Sequence, residues 1–301
     1  MAEPLILPTG YGFRRVTVEE IHASIFDTLV IWEPPRRRGT HRYVMGVDVS
    51  DGLGMDRSVI EVVRCGTLDE PAEQVAEYIS DQMLPVGLAY VIQTIGQYYR
   101  DRDGVEALAA IECNNHGLAT QDTLQLHLGY GNFYVWEYYD SADPGRRFST
   151  KIGWLTTVRT RPLLLSKLHA ALTTIDPITS APDFVTHSPV LHAELKDFQT
   201  ESTLAEAAAS RGAHDDCVMA AAIGYYCAYR EQSGESEPLE ERRRLRSEQQ
   251  AVMAAANAQS VTPDWRNTPT TVDEASHWVE ETPEHVDEQM YDPRRHDDSA
   301  W

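Results

Sequence analysis

Apolar and polar positions along the chain fall into short strands first and helices later. His41–Val49 (HRYVMGVDV) is an apolar run that stops at a polar, glycine-containing turn over Ser50–Gly54, which predicts a buried strand. Arg57–Arg64 (RSVIEVVR) is rich in β-branched residues and predicts a second strand, and Gln74–Ser80 a third, weaker one. Pro85 then opens a predicted helix to about Arg100, with Leu88, Val91, Ile92 and Ile95 at helical spacing. Ala107–Cys113 (ALAAIEC) is a short apolar run ending in a carboxylate; a helix over Gly117–Leu128 and a strand over Phe133–Trp136 follow. Further helices are predicted over Arg161–Thr173, beginning at Pro162, and over His214–Tyr229 (HDDCVMAAAIGYYCAY). Consecutive strands followed by strand–helix alternation predict an α/β protein with a mixed central sheet flanked by helices.

Residues 1–40 contain the Pro/Arg turn EPPRRRG and read as a lead-in or linker, residues 41–230 as the folded domain, and residues 231–301 as a tail. That tail carries 17 acidic and 7 basic residues, few large aliphatics and no sustained period. It therefore reads as acidic and largely disordered, with a possible short helix over Glu237–Asn257. It could serve as a solvated tether or as a docking segment.

Composition narrows the function classes. With 42% hydrophobic residues in 301 the chain can bury a sizeable core. No stretch reaches the roughly 18 apolar residues of a membrane span, and no secretory signal is visible. Cys65, Cys113, Cys217 and Cys227 form no CxxC pair or zinc pattern and fit reduced thiols. Neither GxxxxGK[ST] nor a strand-following GxGxxG occurs, so no nucleotide-phosphate loop is expected.

A net charge of −21 would ordinarily argue against nucleic acid. The charge is uneven, however. Between Arg146 and Lys167 (RRFSTKIGWLTTVRTRPLLLSK) there are six basic residues and no acidic one: Arg146, Arg147, Lys151, Arg159, Arg161 and Lys167. Screening confines distant charges to about 10 Å, so such a window can meet phosphates even on an acidic protein. A solvated surface loop is the plainer alternative.

Three carboxylate positions carry the candidate chemistry. Asp48 ends the first strand in GVDVSDGLGMDRS, Glu112 ends a later strand in IECNNHG, and Asp215 and Asp216 open a helix in GAHDDCVMAAA. Singly, each has a plain explanation: a turn cap at Asp48, a bond to the following turn at Glu112, a helix N-cap at Asp215. Jointly they would form a carboxylate cluster if the two strands are neighbours. Clustered carboxylates repel unless a cation offsets them, and an all-oxygen set suits Mg²⁺ or Mn²⁺. Two such ions about 3.5–4 Å apart can activate water and stabilise the leaving oxygen of a phosphodiester.

The segments GVDVSDGLGMDRSVIEVV, IECNNHGLAT, GWLTTVRTRPLLLSKL and GAHDDCVMAAAIGYY resemble, in that order, the C-terminal nuclease domain of tailed-phage terminase large subunits. The lead-in VIWEPPRRRGTHRY and the stretch EQVAEYISDQMLPVGLAYVIQTIGQYY are similar to that family too, and the resemblance covers roughly residues 28–230. It implies a ribonuclease H-like fold and metal-dependent cutting of concatemeric double-stranded DNA during genome packaging. By position, Asp48 matches the family's first-strand metal ligand and Glu112 the acid of its fourth strand. Asp215 matches the acid opening its last helix, and Asp216 the second acid of that pair. His214 is an auxiliary candidate beside the plain reading of a helix-start polar residue. Asn115 and His116 are expected to shape the turn after Glu112, and Asp56 the turn after the first strand. Arg159 and Arg161 fall where phosphate contact is expected.

Complete members also carry a packaging ATPase, which these residues lack, so a fragment and a separately encoded nuclease are both expected possibilities. The resemblance implies as partners double-stranded DNA, a packaging ATPase domain or subunit, the portal protein and a small terminase subunit, with the host cytoplasm as the place of action and no membrane. Two other readings stay open: a non-catalytic module docking motor to portal with a vestigial site, and a ribonuclease H-like junction resolvase.

Overall fold

The computed structural model describes residues 29–36, 41–113, 116–138, 149–177, 179–200 and 215–234, the backbone of 5–9 and 12–16, and the single positions 23, 25, 28, 244 and 251. The chain divides into two units, Met1–Met253 and Ala254–Trp301, and every described residue lies in the first. The expected acidic tail helix falls outside the described residues except at Arg244 and Ala251.

A hairpin of β1 (Leu5–Thr9) and β2 (Gly12–Val16) stands first, and β3 (Leu29–Ile31) pairs antiparallel with a strand of the main sheet. That sheet is built on β4 (Tyr43–Asp48), β5 (Ser58–Arg64) and β6 (Ala72–Ser80), three consecutive antiparallel strands. On the other side of β4, β7 (Leu108–Ile111) runs parallel to it. A separate hairpin joins β8 (Val135–Tyr138) to β9 (Ser149–Ile152), while β10 (Phe184–Val185) adds parallel to β6. The order is therefore β10-β6-β5-β4-β7, a mixed sheet, as the strand–helix pattern of the sequence predicts.

Alternation along the strands supplies two apolar faces. Met45 and Val47 of β4, Ile60 and Val62 of β5 and Tyr78 of β6 pack under α1 (Pro85–Tyr98), whose Leu88, Val91, Ile92 and Ile95 are buried at the spacing the sequence predicts. The opposite face, with Val44, Val59 and Val63, is covered by α3 (Thr160–Thr173), α4 (Pro189–Thr200) and α5 (Asp216–Ser233). Between the faces in sequence, α2 (His116–Asp122) continues into a π-helical turn over Thr123–His127, where one uninterrupted helix is predicted.

The boundaries differ from expectation where local signals were weak. Helix α5 runs on to Ser233 because no breaker precedes Gly234, and the added turn buries Glu231, which pairs with Arg42 at 3.3 Å. The predicted strand over Phe133–Trp136 is shifted to β8, leaving Phe133 as an isolated parallel bridge to Ala109.

Candidate active site

Sheet register determines the first half of the site. In the parallel pair β4/β7, Val47 lies opposite Ile111, and the Glu112 N–H donates to the Val47 carbonyl at 2.9 Å. Asp48 and Glu112 therefore leave adjacent parallel strands at their carboxyl ends, and their carboxyl groups are within hydrogen-bonding reach of each other. The chain after Glu112 turns sharply into α2. A Cβ on Gly117 would collide with the Glu112 carbonyl oxygen and sit 2.8 Å from its carbon, so only glycine lets α2 start against that peptide.

The second half comes from α5, which crosses β4 closely enough that Gly46 has no room for a side chain. A Cβ there would stand 2.6 Å from Gly224 Cα and closer still to the Ala220 oxygen and Gly224 nitrogen. This close approach brings the helix start, with Asp215 and Asp216, towards the end of β4. Burial, and then the charges of Glu112, Asp216 and Asp215, hold the Asp48 carboxyl well above the usual carboxylate range. The charges of the three other predicted acids thus all act on Asp48, although no three of the four bring ligand oxygens within 4.8 Å of one another.

For Asp48 and Asp215 the plain explanations do not describe what they do. The turn after β4 is held by Ser58 Oγ accepting from the Ser50 N–H at 3.0 Å and by Asp51 accepting from the Leu53 N–H at 3.0 Å, not by Asp48. Asp215 stands at the N-cap of α5 but its side chain makes no capping hydrogen bond. Its carboxylate instead accepts from the Arg161 guanidinium. Asp216 Oδ2 accepts from the Arg57 backbone N–H and Nε, each at 3.3 Å. Burial raises the Asp216 carboxyl, and Arg57 opposes that rise.

Two residues that the sequence pattern does not single out complete the arrangement. Glu194 of α4 caps α5 from outside: its Oε2 accepts from the Cys217 and Val218 N–H groups at 3.0 and 3.1 Å. Its Oε1 accepts from Arg57, so one guanidinium joins the cap to Asp216. The available signal was an acid on the buried face of α4: Glu194 is 6% exposed and lies three residues from the fully buried Leu191.

Of the basic window, Arg146 and Arg147 lie outside the described residues, as do His214 and Asn115. Lys151 on β9 and Arg159 at the start of α3 are exposed. Lys167 is exposed too, with its Nζ 4.9 Å from the centre of the Tyr229 ring. Arg161 is half-buried against Asp215. The window meets the cluster at two points, at Trp154, which forms a parallel backbone bridge with Glu112, and at the Arg161 guanidinium, which donates to Asp215. His116 is exposed at the start of α2, and Asp56 lies in the bend before β5.

No protein-family profile matches the chain, and no curated protein does. Among solved structures it is similar to the large terminase nuclease from thermophilic phage G20c with bound cobalt, at 17% identity and a TM-score of 0.42, over 68% of this chain and 96% of that one. The same nuclease with bound magnesium is 16% identical with a TM-score of 0.41, over 68% and 96%. A third structure of that nuclease gives 17% and 0.39, over 68% and 97%.

Proposed function

We propose that the chain is a divalent-metal-dependent DNA endonuclease, the cutting domain of a tailed-phage packaging terminase. The observation that carries this reading is the placement of Asp48 and Glu112 on adjacent parallel strand ends, within the electrostatic reach of Asp215 and Asp216 at a helix start that a different residue caps. The donor set fits the implied cations. It is all oxygen, and its members disfavour one another's charge unless a cation offsets it. Asp48, Glu112 and Asp215, with Asp216 beside them, would hold two Mg²⁺ or Mn²⁺ ions. Bound there, the ions would supply an activated water and charge stabilisation for phosphodiester hydrolysis.

The chain's own residues do the positioning. Asp48 and Glu112 are fixed by the β4/β7 ladder, and Arg57 with Glu194 fixes the start of α5. Lys151 and Arg159 are exposed cations on the segment that borders the cluster, suited to backbone phosphates. The packaging context extends this reading through the sequence resemblance. It comprises concatemeric double-stranded DNA, an ATPase domain or subunit, the portal, a small subunit and the host cytoplasm.

The test is cleavage of supercoiled plasmid by the purified chain with Mg²⁺ or Mn²⁺. Asp48→Ala and Glu112→Ala should each abolish cutting while retaining the wild-type far-UV circular dichroism. Undiminished cutting by both variants would refute the assignment.

A further inference from the structure

Under the start of α5 lies a second group of ligand-type side chains that the nuclease reading leaves unused. Glu61 of β5 and Glu77 of β6 stand directly opposite each other in the sheet register, and Cys217 descends from the second residue of α5. One carboxylate oxygen from each glutamate and the Cys217 sulfur all lie within 4.8 Å of one another. The three residues are 0, 4 and 0% exposed.

Their hydrogen bonding is incomplete. The Gln74 amide donates to Glu61 Oε2 at 2.6 Å, and Gln74 is itself held by the His187 and Ser188 N–H groups. Glu61 Oε1 and Glu77 Oε1 are buried and receive no hydrogen bond from any described donor. Nearby cations are engaged elsewhere: Arg57 with Glu194 and Asp216, Arg64 with Glu33, Glu70 and Glu73. A buried carboxylate without a counter-charge is costly. The two carboxyls are close enough to share a proton, but a shared proton needs no third ligand. The third corner is a sulfur.

We propose that Glu61, Glu77 and Cys217 form a buried three-residue site for a thiophilic divalent cation, Zn²⁺ in class, which fastens α5 to β5 and β6. Zinc takes sulfur at about 2.3 Å and carboxylate oxygen at about 2.0–2.2 Å, so its ligand atoms sit about 3.3–3.7 Å apart and a modest contraction of the triad accommodates it. Mg²⁺ would not take the thiolate, which separates this site chemically from the carboxylate cluster. Binding releases the thiol proton, so the dication meets three anionic ligands and offsets two of their three charges, with the Gln74 amide donating to Glu61 beside them. Because Cys217 follows Asp215 and Asp216 directly, the clamp fixes the helix start that bears them. The site stands on its own residues and does not depend on the nuclease reading.

The probe is Co²⁺, supplied during expression of the full chain and followed by dialysis against a chelator. The expected result is about one retained cobalt per chain, with a sulfur-to-cobalt charge-transfer band in the near ultraviolet. Cys217→Ser should lose the band, and the near-isosteric Glu77→Gln should lose the ion. Asp48→Ala, which removes the predicted nuclease ligand, should keep both. Absence of retained cobalt in the wild-type chain overturns the proposal, whatever the variants do. So does a band that survives Cys217→Ser. Plasmid cutting is a separate readout, so loss of the clamp and failure of the nuclease reading are distinguishable.

Discussion

The crossing of α5 over β4 makes an asymmetric prediction at its two glycines. Alanine at Gly46 would bring its Cβ to 2.6 Å from Gly224 Cα, where ordinary contact begins at 3.4 Å, so helix and strand must part by at least 0.8 Å. The obstructing atoms are backbone and cannot rotate away. Overpacking of this kind costs about 1–3 kcal/mol, and the rigid neighbours argue for the upper end. At about 2–4 °C per kcal/mol for a domain of this size, Gly46→Ala should lower the melting temperature by about 6–12 °C. The same separation moves Asp215 and Asp216 relative to Asp48, and a misplacement near 1 Å costs about a hundredfold in rate. Alanine at Gly224 meets Val63 Cγ2 at 3.1 Å and Gly46 N and Cα at 3.3 and 3.4 Å, gaps that small adjustments relieve. It also gains about 0.5–1 kcal/mol of helix propensity, so its net effect should be near zero. Thermal melts and plasmid-cleavage rates of the two variants, measured side by side, decide the matter. Equal melting temperatures, or a Gly46→Ala enzyme that cuts like wild type, would refute the close-crossing argument.

Two further outcomes follow from the site's charges. Arg57→Ala removes the partner of Asp216 and of the largely buried Glu194 together. Breaking such a pair costs about 3 kcal/mol, and cutting should fall at least tenfold; a variant with wild-type stability and rate in the same melts and assays would contradict this. The second concerns pH in the presence of chelator. Asp48 has its carboxyl raised in the fold by burial and then by Glu112, so the folded state binds more protons than the unfolded one above about pH 4. Its favourable contribution is complete below that pH and is lost as pH rises towards the elevated folded value. Asp48→Asn should therefore flatten the decline of melting temperature with pH. It should not abolish that decline, because Glu61 is raised in the same sense by burial and Glu77. Parallel pH profiles for the two proteins would rule out the assigned cause.

Much of this arrangement was legible in the sequence, and the limits are physical. Strands β4, β5 and β7 are continuous apolar runs, and a carboxylate at the end of such a run stands out because its burial needs a partner. By the same criterion Glu61, inside SVIEVVR, carries an equal signal. Its meaning depends on register: only the pairing of β5 with β6 sets it against Glu77. Strands β3 and β10, with three and two residues, are too short to have any period and exist through their contacts with β6. Arg161 illustrates the same limit from the other side. Its charge is visible in the sequence, but its engagement with Asp215 is a tertiary fact.

Helix α5 begins with two acids and receives a third from α4, and the division of labour among them explains how a helix start can serve a site. A helix N-terminus carries roughly half a positive charge and several unpaired N–H groups, which ordinarily draw in the nearest carboxylate. Here Glu194 satisfies two of those N–H groups from outside the helix. Asp215, at the position where a capping side chain is normally used, makes no such bond and is engaged by Arg161 instead. Capping by Asp215 itself would turn its carboxylate back onto the helix and away from Asp48. Moving the cap to α4 keeps the helix stable while leaving the dipole to favour negative charge beside β4. The cost is a second buried acid, and Arg57 offsets it by bonding Glu194 and Asp216 with one guanidinium. Part of the acidity that argues against DNA for the whole chain thus lies at a point where two divalent cations would offset four carboxylates before an approaching phosphate.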